Sequence, residues 1–304
     1  MALSVPSPAR ADATLLLGEP YGQFGKITPT GHAAVYLSRI CASTPTELRR
    51  CLPGETGVVI SRYHQVGGFD WLAVPLIPYL YAVESADQVP SFADAKTVAT
   101  LRNEYRRSRL LEVAPDSANG APPPGNWFQL IGAAYDRRIV AFTVPTTIAQ
   151  DDELIRHFNA AENRGRFNFF LRNCADFARD LLNLYYPKAL RASFLADLGM
   201  TTPKQVAKAL VDYTSRQPEL QLSTFVVPQL PGSRPESRNP RGVTEGLIKT
   251  KKYAIPLFLT QPWVSAGFAA GYLVSGRFDI NRYSTVSYDP VDLERLAVHV
   301  AGLE

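Results

Sequence analysis

The pattern of apolar and polar positions predicts a mixed α+β domain over the first two thirds of the chain. Two short apolar runs, 33–37 and 57–63, predict the strands of a hairpin over about 31–65. Further strands are predicted over 128–134, 138–144 and 167–171. Apolar spacing near 3.6 residues and helix-capping residues predict helices over 96–111, 151–162, 174–185 and 203–213. Pro75 and Pro78 argue against a regular helix over 71–83.

Two predicted helices carry clear start signals. Asn173 is a good N-cap, and Asp176, three residues later, can reach back to the cap amide. Thr202 is a good cap before Pro203, which suits the first position of a helix. These signals place Cys174 in the first turn of its helix.

Charge is concentrated in the segment 229–252. The chain has 304 residues with a net charge of +4, too mild to indicate a nucleic-acid partner. In this segment six cationic residues face two acidic ones, an excess equal to the whole net charge. Its prolines and glycines predict a basic, solvated linker. A surface loop and a contact with anionic lipid headgroups both remain open.

The run 253–276 contains no charged residue. Its length fits a membrane span, but two prolines and several polar residues dilute it. A buried or membrane-surface element remains as plausible as a span. We therefore expect possible membrane contact through 247–276, and we assign 253–304 to an apolar C-terminal segment and tail.

The N-terminus and two cysteines suggest an oxidising compartment. Ala11-Asp12-Ala13 has the small-x-small form of a signal-peptidase site, so 1–13 is predicted as the remnant of a signal peptide or a disordered leader. A catalytic domain would then cover 14–228. Cys41 and Cys51 can form a disulfide at the base of the hairpin, although two reduced thiols remain the alternative.

Cys174 is the candidate nucleophile. Free amides and the positive end of the helix dipole should stabilise a thiolate there and lower the thiol pKa. The Cys174 amide could also donate to an oxyanion. The alternative is a packed core thiol, because Phe177, Leu181 and Tyr185 share its helical face.

His32 is the candidate base because a neutral imidazole can take the thiol proton. A hairpin centred near residue 48 would bring His64 close to His32 as its orienting partner. A structural His32 and an exposed loop His64 remain the alternatives. His157 and His299 are expected to be structural or solvated.

Motifs for other chemistries are missing from the sequence. It contains no Gly-x-Ser-x-Gly, no His-Glu-x-x-His and no phosphate-binding glycine loop. No second cysteine or histidine pair has the spacing of zinc ligands. No cofactor and no metal are therefore predicted.

The segments GHAAV at 31–35 and NCADF at 173–177 resemble the circularly permuted branch of the NlpC-type papain-like superfamily. The order of histidine strand and cysteine helix is shared with lecithin:retinol acyltransferase-like proteins. The closest resemblance is to bacterial periplasmic domains of the Lnb N-terminal type. It covers roughly 20–190 and implies Cys174 as nucleophile and His32 as base. A third polar residue is usual on the next strand, for which His64 is the candidate.

The resemblance implies an α+β fold with a permuted papain-like core. In such a fold an antiparallel sheet packs on the cysteine-bearing helix, here with helical insertions and a C-terminal extension. It implies acyl transfer through an acyl-cysteine on a lipid or lipoprotein substrate, in the periplasm or cell envelope, with membrane association as an open alternative. Hydrolysis of peptidoglycan peptide amides is the second hypothesis. A non-catalytic envelope binding domain with a buried, unreactive thiol is the third.

Overall fold

An antiparallel sheet of six strands lies at the centre of the fold. The structure is a computed structural model that describes residues 11–22, 25, 29–64, 66–283 and 286–301. The strands are β1 Ala11–Gly18, β2 His32–Leu37, β3 Ile40–Thr44, β4 Glu47–Arg50, β5 Val58–Ser61, β6 Leu72–Pro75, β7 Ile139–Thr146 and β8 Ser223–Val227. The order in the main sheet is β6-β5-β2-β1-β7-β8, while β3 and β4 form a separate hairpin.

Helices cover both faces of this sheet. They are α1 Leu76–Tyr81, α2 Ala95–Arg109, α3 Ala133–Asp136, α4 Ile148–Ala160, α5 Cys174–Tyr185, α6 Phe194–Asp197, α7 Pro203–Thr214, α8 Val243–Lys249, α9 Lys251–Thr260, α10 Pro262–Gly271 and α11 Pro290–Ala301. The predicted α+β class, with an antiparallel sheet packed on the cysteine-bearing helix, is confirmed. The predicted circular permutation stays a prediction.

Alternation along the strands divides the core into two halves. Leu15 and Val35 point to the face covered by α4, α5 and α7, whereas Leu16 and Ala34 point to the face covered by α1 and α2. Because the central strands are buried on both faces, they are almost continuously apolar. Burial on both sides fixes the register of β2, which carries His32.

Strand β1 corrects the predicted leader. It begins at Ala11, and Ala13 is fully buried and pairs with Val144 of β7. The small residues that suggested a peptidase site therefore belong to a central strand, where they fit between two helical layers. The rest of the predicted leader, 1–10, lies outside the described residues.

The predicted hairpin is formed by β2 and β5, with Val35 opposite Ile60. Its long connection contains β3 and β4, and the Cys41–Cys51 disulfide closes this smaller hairpin. The predicted bridge is confirmed. It lies at the base of β3 and β4 rather than at the base of the larger hairpin.

Two predicted strands are wrong. The segment 128–134 contains a short 3-10 helix and the start of α3, which follows Gly132 in the left-handed region at φ 72°. A Cβ there would lie 2.9 Å from the Tyr135 ring, so the turn requires glycine. The segment 167–171 forms a turn closed by the Asn168–Arg172 bridge. Apolar residues there mark local packing rather than sheet pairing.

The segment 229–252 is largely exposed over 231–239, as predicted, but it is not a free linker. Leu230 donates its amide to Ala134, and Arg241 donates its amide to Pro29. Residues 243–249 form α8, in which Glu245 is buried beside Lys204 of α7. The segment therefore runs along the body of the protein, and its prolines suit this irregular, hydrogen-bonded path.

The uncharged run forms α9, α10 and a π-helical turn over Tyr272–Gly276. Neither α9 nor α10 contains a buried residue. Among the residues described, no helix is long and apolar enough to cross a membrane. The predicted C-terminal tail is not a free extension, because Leu293 and Ala297 of α11 are buried in the core beside α1.

Candidate active site

Cys174 lies at the first position of α5, as its sequence context predicts. Asn173 Oδ1 accepts from the amides of Ala175 at 2.7 Å and Asp176 at 3.0 Å, and Asp176 Oδ2 accepts from the Asn173 amide at 3.2 Å. This capping box occupies the second and third amides of the helix but not the Cys174 N–H, which has no intrahelical acceptor at this position. That amide can donate to a group bound beside the sulfur.

The cap itself is held from both sides. Asn173 Nδ2 donates to the carbonyls of Phe169 at 3.0 Å and Thr201 at 3.1 Å. Arg62 reaches the Asn173 carbonyl at 3.4 Å while its guanidinium pairs with Asp70 at 2.7 Å. Every polar group of Asn173 is thus engaged, and the start of α5 is tied to the strand-end loops.

His32 begins β2 and lies directly after Gly31. Gly31 has φ 80°, and a Cβ there would lie 2.3 Å from the Gly18 carbonyl oxygen, so only glycine permits this approach. His32 is buried, and its ring stacks on Tyr63 at a centroid distance of 5.3 Å. The imidazole is therefore held in one orientation.

Ser61 sets the tautomer of His32. The Ser61 hydroxyl donates its single proton to the Ala33 carbonyl at 2.7 Å, so it can only accept in its 3.2 Å contact with His32 Nε2. Nε2 must then carry the proton, and Nδ1 holds the lone pair. Among the described residues Nδ1 has no hydrogen-bond partner, so it can act as a base.

One cavity of about 310 Å³ brings these groups together. Cys174 is the free thiol and is partly exposed there, not sealed in the core. The lining residues are Thr30, Gly31, His32, Arg62, Tyr63, His64, Asn126, Gln129, Phe167, Phe169, Asn173, Cys174, Met200, Thr201, Thr202 and Pro203. The nucleophile and base candidates therefore open onto the same space.

Burial keeps both groups neutral at rest. Burial first and the Arg137 charge second lower the pKa of His32 from 6.5 to about 3. Burial raises the pKa of the Cys174 thiol above its usual range, although the Ala33 amide and the Arg137 charge partly offset it. The expected lowering of the thiol pKa by the helix is therefore wrong, because desolvation of the thiolate outweighs the helix amides.

Arg137 is a part of this site that sequence reasoning missed. It is buried, its Nε atom has no hydrogen-bond partner, and no carboxylate of the described residues lies within 4 Å of its guanidinium. Its guanidinium lies over the Tyr21 ring at 4.4 Å. An unpaired buried cation near the sulfur favours negative charge there.

The other histidines take different places. His64 is exposed at the cavity mouth, where its ring meets the edge of Phe167 at 5.4 Å. The orienting contact to His32 that was predicted for His64 is made instead by Ser61. His157 is exposed on α4, and the side chain of His299 lies outside the described residues.

Ser61 could have been found from strand register. Val35 opposite Ile60 places Ser61 diagonally across from His32 on the same face of the sheet. The sequence signal was only a polar residue at the end of an apolar strand. Arg137 carried no such signal, since its position depends on the placement of its side chain beside Gly18 at the end of β1.

No protein-family model matches the sequence, and no curated protein is similar enough to match. Among solved structures, the crystal structure of the type VI secretion system effector TseH is similar to this chain, with a TM-score of 0.32 and 12% identity. The alignment covers 72% of this chain and 99% of that chain. A likeness this distant carries no functional argument.

Proposed function

We propose that this protein is a cysteine-dependent acyl-transfer enzyme in which Cys174 is the nucleophile and His32 the general base. The observation that carries this proposal is that both side chains open into one cavity while Ser61 leaves Nδ1 of His32 unprotonated. A free thiol, a neutral imidazole and an available amide at a helix start are the groups that acyl transfer needs.

In the first step, Sγ of Cys174 attacks the substrate carbonyl carbon as Nδ1 of His32 takes the thiol proton. A C–S bond forms, and the carbonyl oxygen gains negative charge that the Cys174 amide can stabilise. Because burial disfavours both the thiolate and the imidazolium, the thiol proton moves to His32 only as the C–S bond forms, and His32 then returns it to the leaving oxygen or nitrogen. The bond to the leaving group breaks, and an acyl-cysteine remains.

In the second step, water or an amine enters the space left by the leaving group. Nδ1 of His32 takes its proton as it attacks the thioester carbonyl, and the C–S bond breaks. The acceptor leaves with the acyl group, and the proton on His32 returns to the sulfur. The same imidazole thus serves both half-reactions without a cofactor.

The cavity suits an apolar acyl group. Phe167, Phe169, Met200 and Pro203 supply its apolar wall, and Phe170 is exposed in the turn that leads to α5. We therefore propose a lipid or lipoprotein ester as substrate. The Cys41–Cys51 disulfide supports a location in an oxidising compartment such as the periplasm or cell envelope.

A second candidate is hydrolysis of a cell-wall peptide amide. The observation in its favour is that Asn126 and Gln129 line the same cavity with amide groups able to bind a peptide backbone. Water would then be the acceptor, and no apolar subsite would be needed.

The test is intact-mass analysis after incubation with diacyl phospholipid, with an acylated lipopeptide and with peptidoglycan fragments. We expect an acyl adduct from a lipid substrate in the wild type and none in Cys174→Ala. Cleavage of peptidoglycan peptides that is lost in Cys174→Ala would favour the second candidate. Unchanged turnover of any of these substrates by Cys174→Ala would overturn both.

A further inference from the structure

A second cavity, of about 670 Å³, lies at the C-terminal part of the fold and shares no lining residue with the cavity that contains Cys174. It lies between α7, α8 and the segment 272–283. Of the described residues, five cationic side chains line it against two carboxylates: Lys204, Arg241, Lys249, Arg277 and Arg282, with Glu245 and Asp279. The cavity is therefore strongly basic, unlike the cavity that contains Cys174.

Its two carboxylates are already engaged. Glu245 Oε2 lies 2.6 Å from Lys204 Nζ, and Glu245 Oε1 lies 2.8 Å from Lys249 Nζ. Asp279 lies 4.0 Å from Arg282. Within the described residues, Arg241 and Arg277 have no carboxylate within 4 Å, so two guanidiniums face the cavity without a counter-charge.

An exposed apolar surface adjoins this cavity. We define the C-terminal hairpin as α9 and α10 with the π-helical turn that follows. Its exposed apolar side chains are Ile255, Phe258, Leu259, Trp263, Leu273 and Val274. Leu195 of α6 extends the surface, because its carbonyl lies beside Gly271 at the end of α10.

The cavity lies at the base of the C-terminal hairpin. Lys249 ends α8, immediately before the hairpin begins, and Tyr272 follows the end of α10. Lys249 Nζ donates to the Tyr272 hydroxyl at 2.7 Å, and both residues line the cavity. Unpaired positive charge and exposed apolar surface therefore meet at one place.

We propose that the C-terminal hairpin and this cavity dock on an anionic phospholipid membrane. The apolar side chains would enter the boundary between headgroups and acyl chains, where Trp263 and the flanking tyrosines are favourable. A headgroup phosphate would occupy the cavity beside Arg241 and Arg277. This proposal goes beyond the acyl-transfer activity and does not depend on it.

The test is co-sedimentation of the full chain with vesicles of phosphatidylcholine alone or mixed equally with phosphatidylglycerol. We expect binding to the mixed vesicles and a blue shift of Trp263 fluorescence. The shift is assigned by difference from Trp263→Phe, since Trp71 and Trp127 are buried. Arg241→Gln with Arg277→Gln should weaken binding roughly 30-fold.

The matched control is Arg107→Gln with Arg109→Gln on α2, which removes the same charge from another part of the surface and should change binding much less. Arg277→Gln alone, at an exposed side chain, keeps the test valid if the double variant folds poorly. Leu259→Ser with Val274→Ser should abolish the fluorescence shift.

Three results would overturn the proposal. The first is binding to the two kinds of vesicle that is equal and insensitive to the arginine variants. The second is saturable binding of inorganic phosphate at the arginines without any vesicle binding, which would assign the cavity to a soluble phosphate. The third is concentration-dependent self-association, lost in Leu259→Ser with Val274→Ser and accompanied by no vesicle binding.

Discussion

The central sheet and the C-terminal hairpin are both built from largely apolar stretches of sequence but use them in opposite ways. Strands β1 and β2 are buried on both faces, and Phe142 of β7 is 0% exposed. In the hairpin, Phe258 is 64% exposed and Trp263 is 85% exposed. Apolar character alone thus does not distinguish a core segment from a surface segment. Whether a segment is buried depends on which other elements pack against it.

The two regions also differ in how polar groups are used. Around β2 the polar groups satisfy one another, because the Ser61 hydroxyl donates to the Ala33 carbonyl and accepts from His32, and this holds the proposed base in place. Beside the hairpin, Arg241 and Arg277 have no acidic partner among the residues that the structure describes. We infer that the sheet positions chemistry and that the hairpin is suited to an external partner.

The largest expected effect is the difference in unfolding free energy between a truncated side chain in the central sheet and one in the C-terminal hairpin. Phe142→Ala should lower the free energy of unfolding by about 3–5 kcal/mol, because it leaves a cavity in a packed core. Phe258→Ala should change it by less than about 0.5 kcal/mol, because that side chain is mainly in solvent. Chemical denaturation measures both. A similar cost for the two variants would mean that the hairpin is part of the core.

Acid should destabilise the part of the fold around the central sheet, because His32 is buried in its neutral form. Its folded pKa of about 3 lies below its ordinary 6.5, so the unfolded chain binds the proton first as pH falls. Stability is therefore lost between about pH 6.5 and 3, by roughly 3–5 kcal/mol. The run 253–276 contains no Asp, Glu or His and should contribute nothing to this loss.

Denaturation of the wild type and His32→Gln across this pH range measures the effect, and the variant should lose this part of the slope. His157→Gln, at an exposed position on α4, is the control and should keep it. Identical slopes for wild type and His32→Gln would show that His32 is not buried in the neutral form.

The Cys41–Cys51 disulfide should contribute a smaller amount than His32 to the free energy of unfolding. Cys41→Ser with Cys51→Ser opens a loop of ten-residue separation and should cost about 2–3 kcal/mol of unfolding free energy. Reductant should bring the wild type to the same value. Because neither cysteine lines the active-site cavity, alkylation of Cys174 should not change in rate. An unchanged denaturation midpoint would show that the bridge does not form in solution.

Ser61→Ala should affect the chemistry more than the stability. Without its acceptor, His32 can place its proton on Nδ1, and we expect acylation to slow about 10–100-fold with little change in KM. Ser38→Ala, at the other end of β2, removes an equally buried hydroxyl and should leave acylation unchanged. Imidazole nitrogen NMR should show loss of the Nε2-protonated tautomer in Ser61→Ala only, and an unchanged tautomer would contradict the positioning role.

Local signals in the sequence predicted the local features of the site. The capping box of Asn173 and Asp176 placed Cys174 correctly because capping depends on residues only three apart. The β2–β5 pairing was also predictable from two apolar runs. Ser61 and Arg137 were not predicted as site residues, because the register and the packing of separate elements bring them to His32. Strand β1 was missed because its small residues also fit a peptidase site.

The C-terminal part shows the same limit in another form. An uncharged run of this length is compatible with a span, a core element or a surface element, and local patterning does not separate them. Pro262 and the break at Gln261 divide it into two ten-residue helices. Their exposure depends on the absence of a covering element among the described residues, which no local pattern encodes.

The most direct test of the account is the rate at which Cys174 is acylated by a p-nitrophenyl ester, followed by intact mass and peptide mapping. The wild type should gain one acyl group, on Cys174, and His32→Gln should gain it at least about 100-fold more slowly at the same pH. Equal rates in the two proteins, or an adduct on another residue, would contradict the assignment of Cys174 and His32 as nucleophile and base.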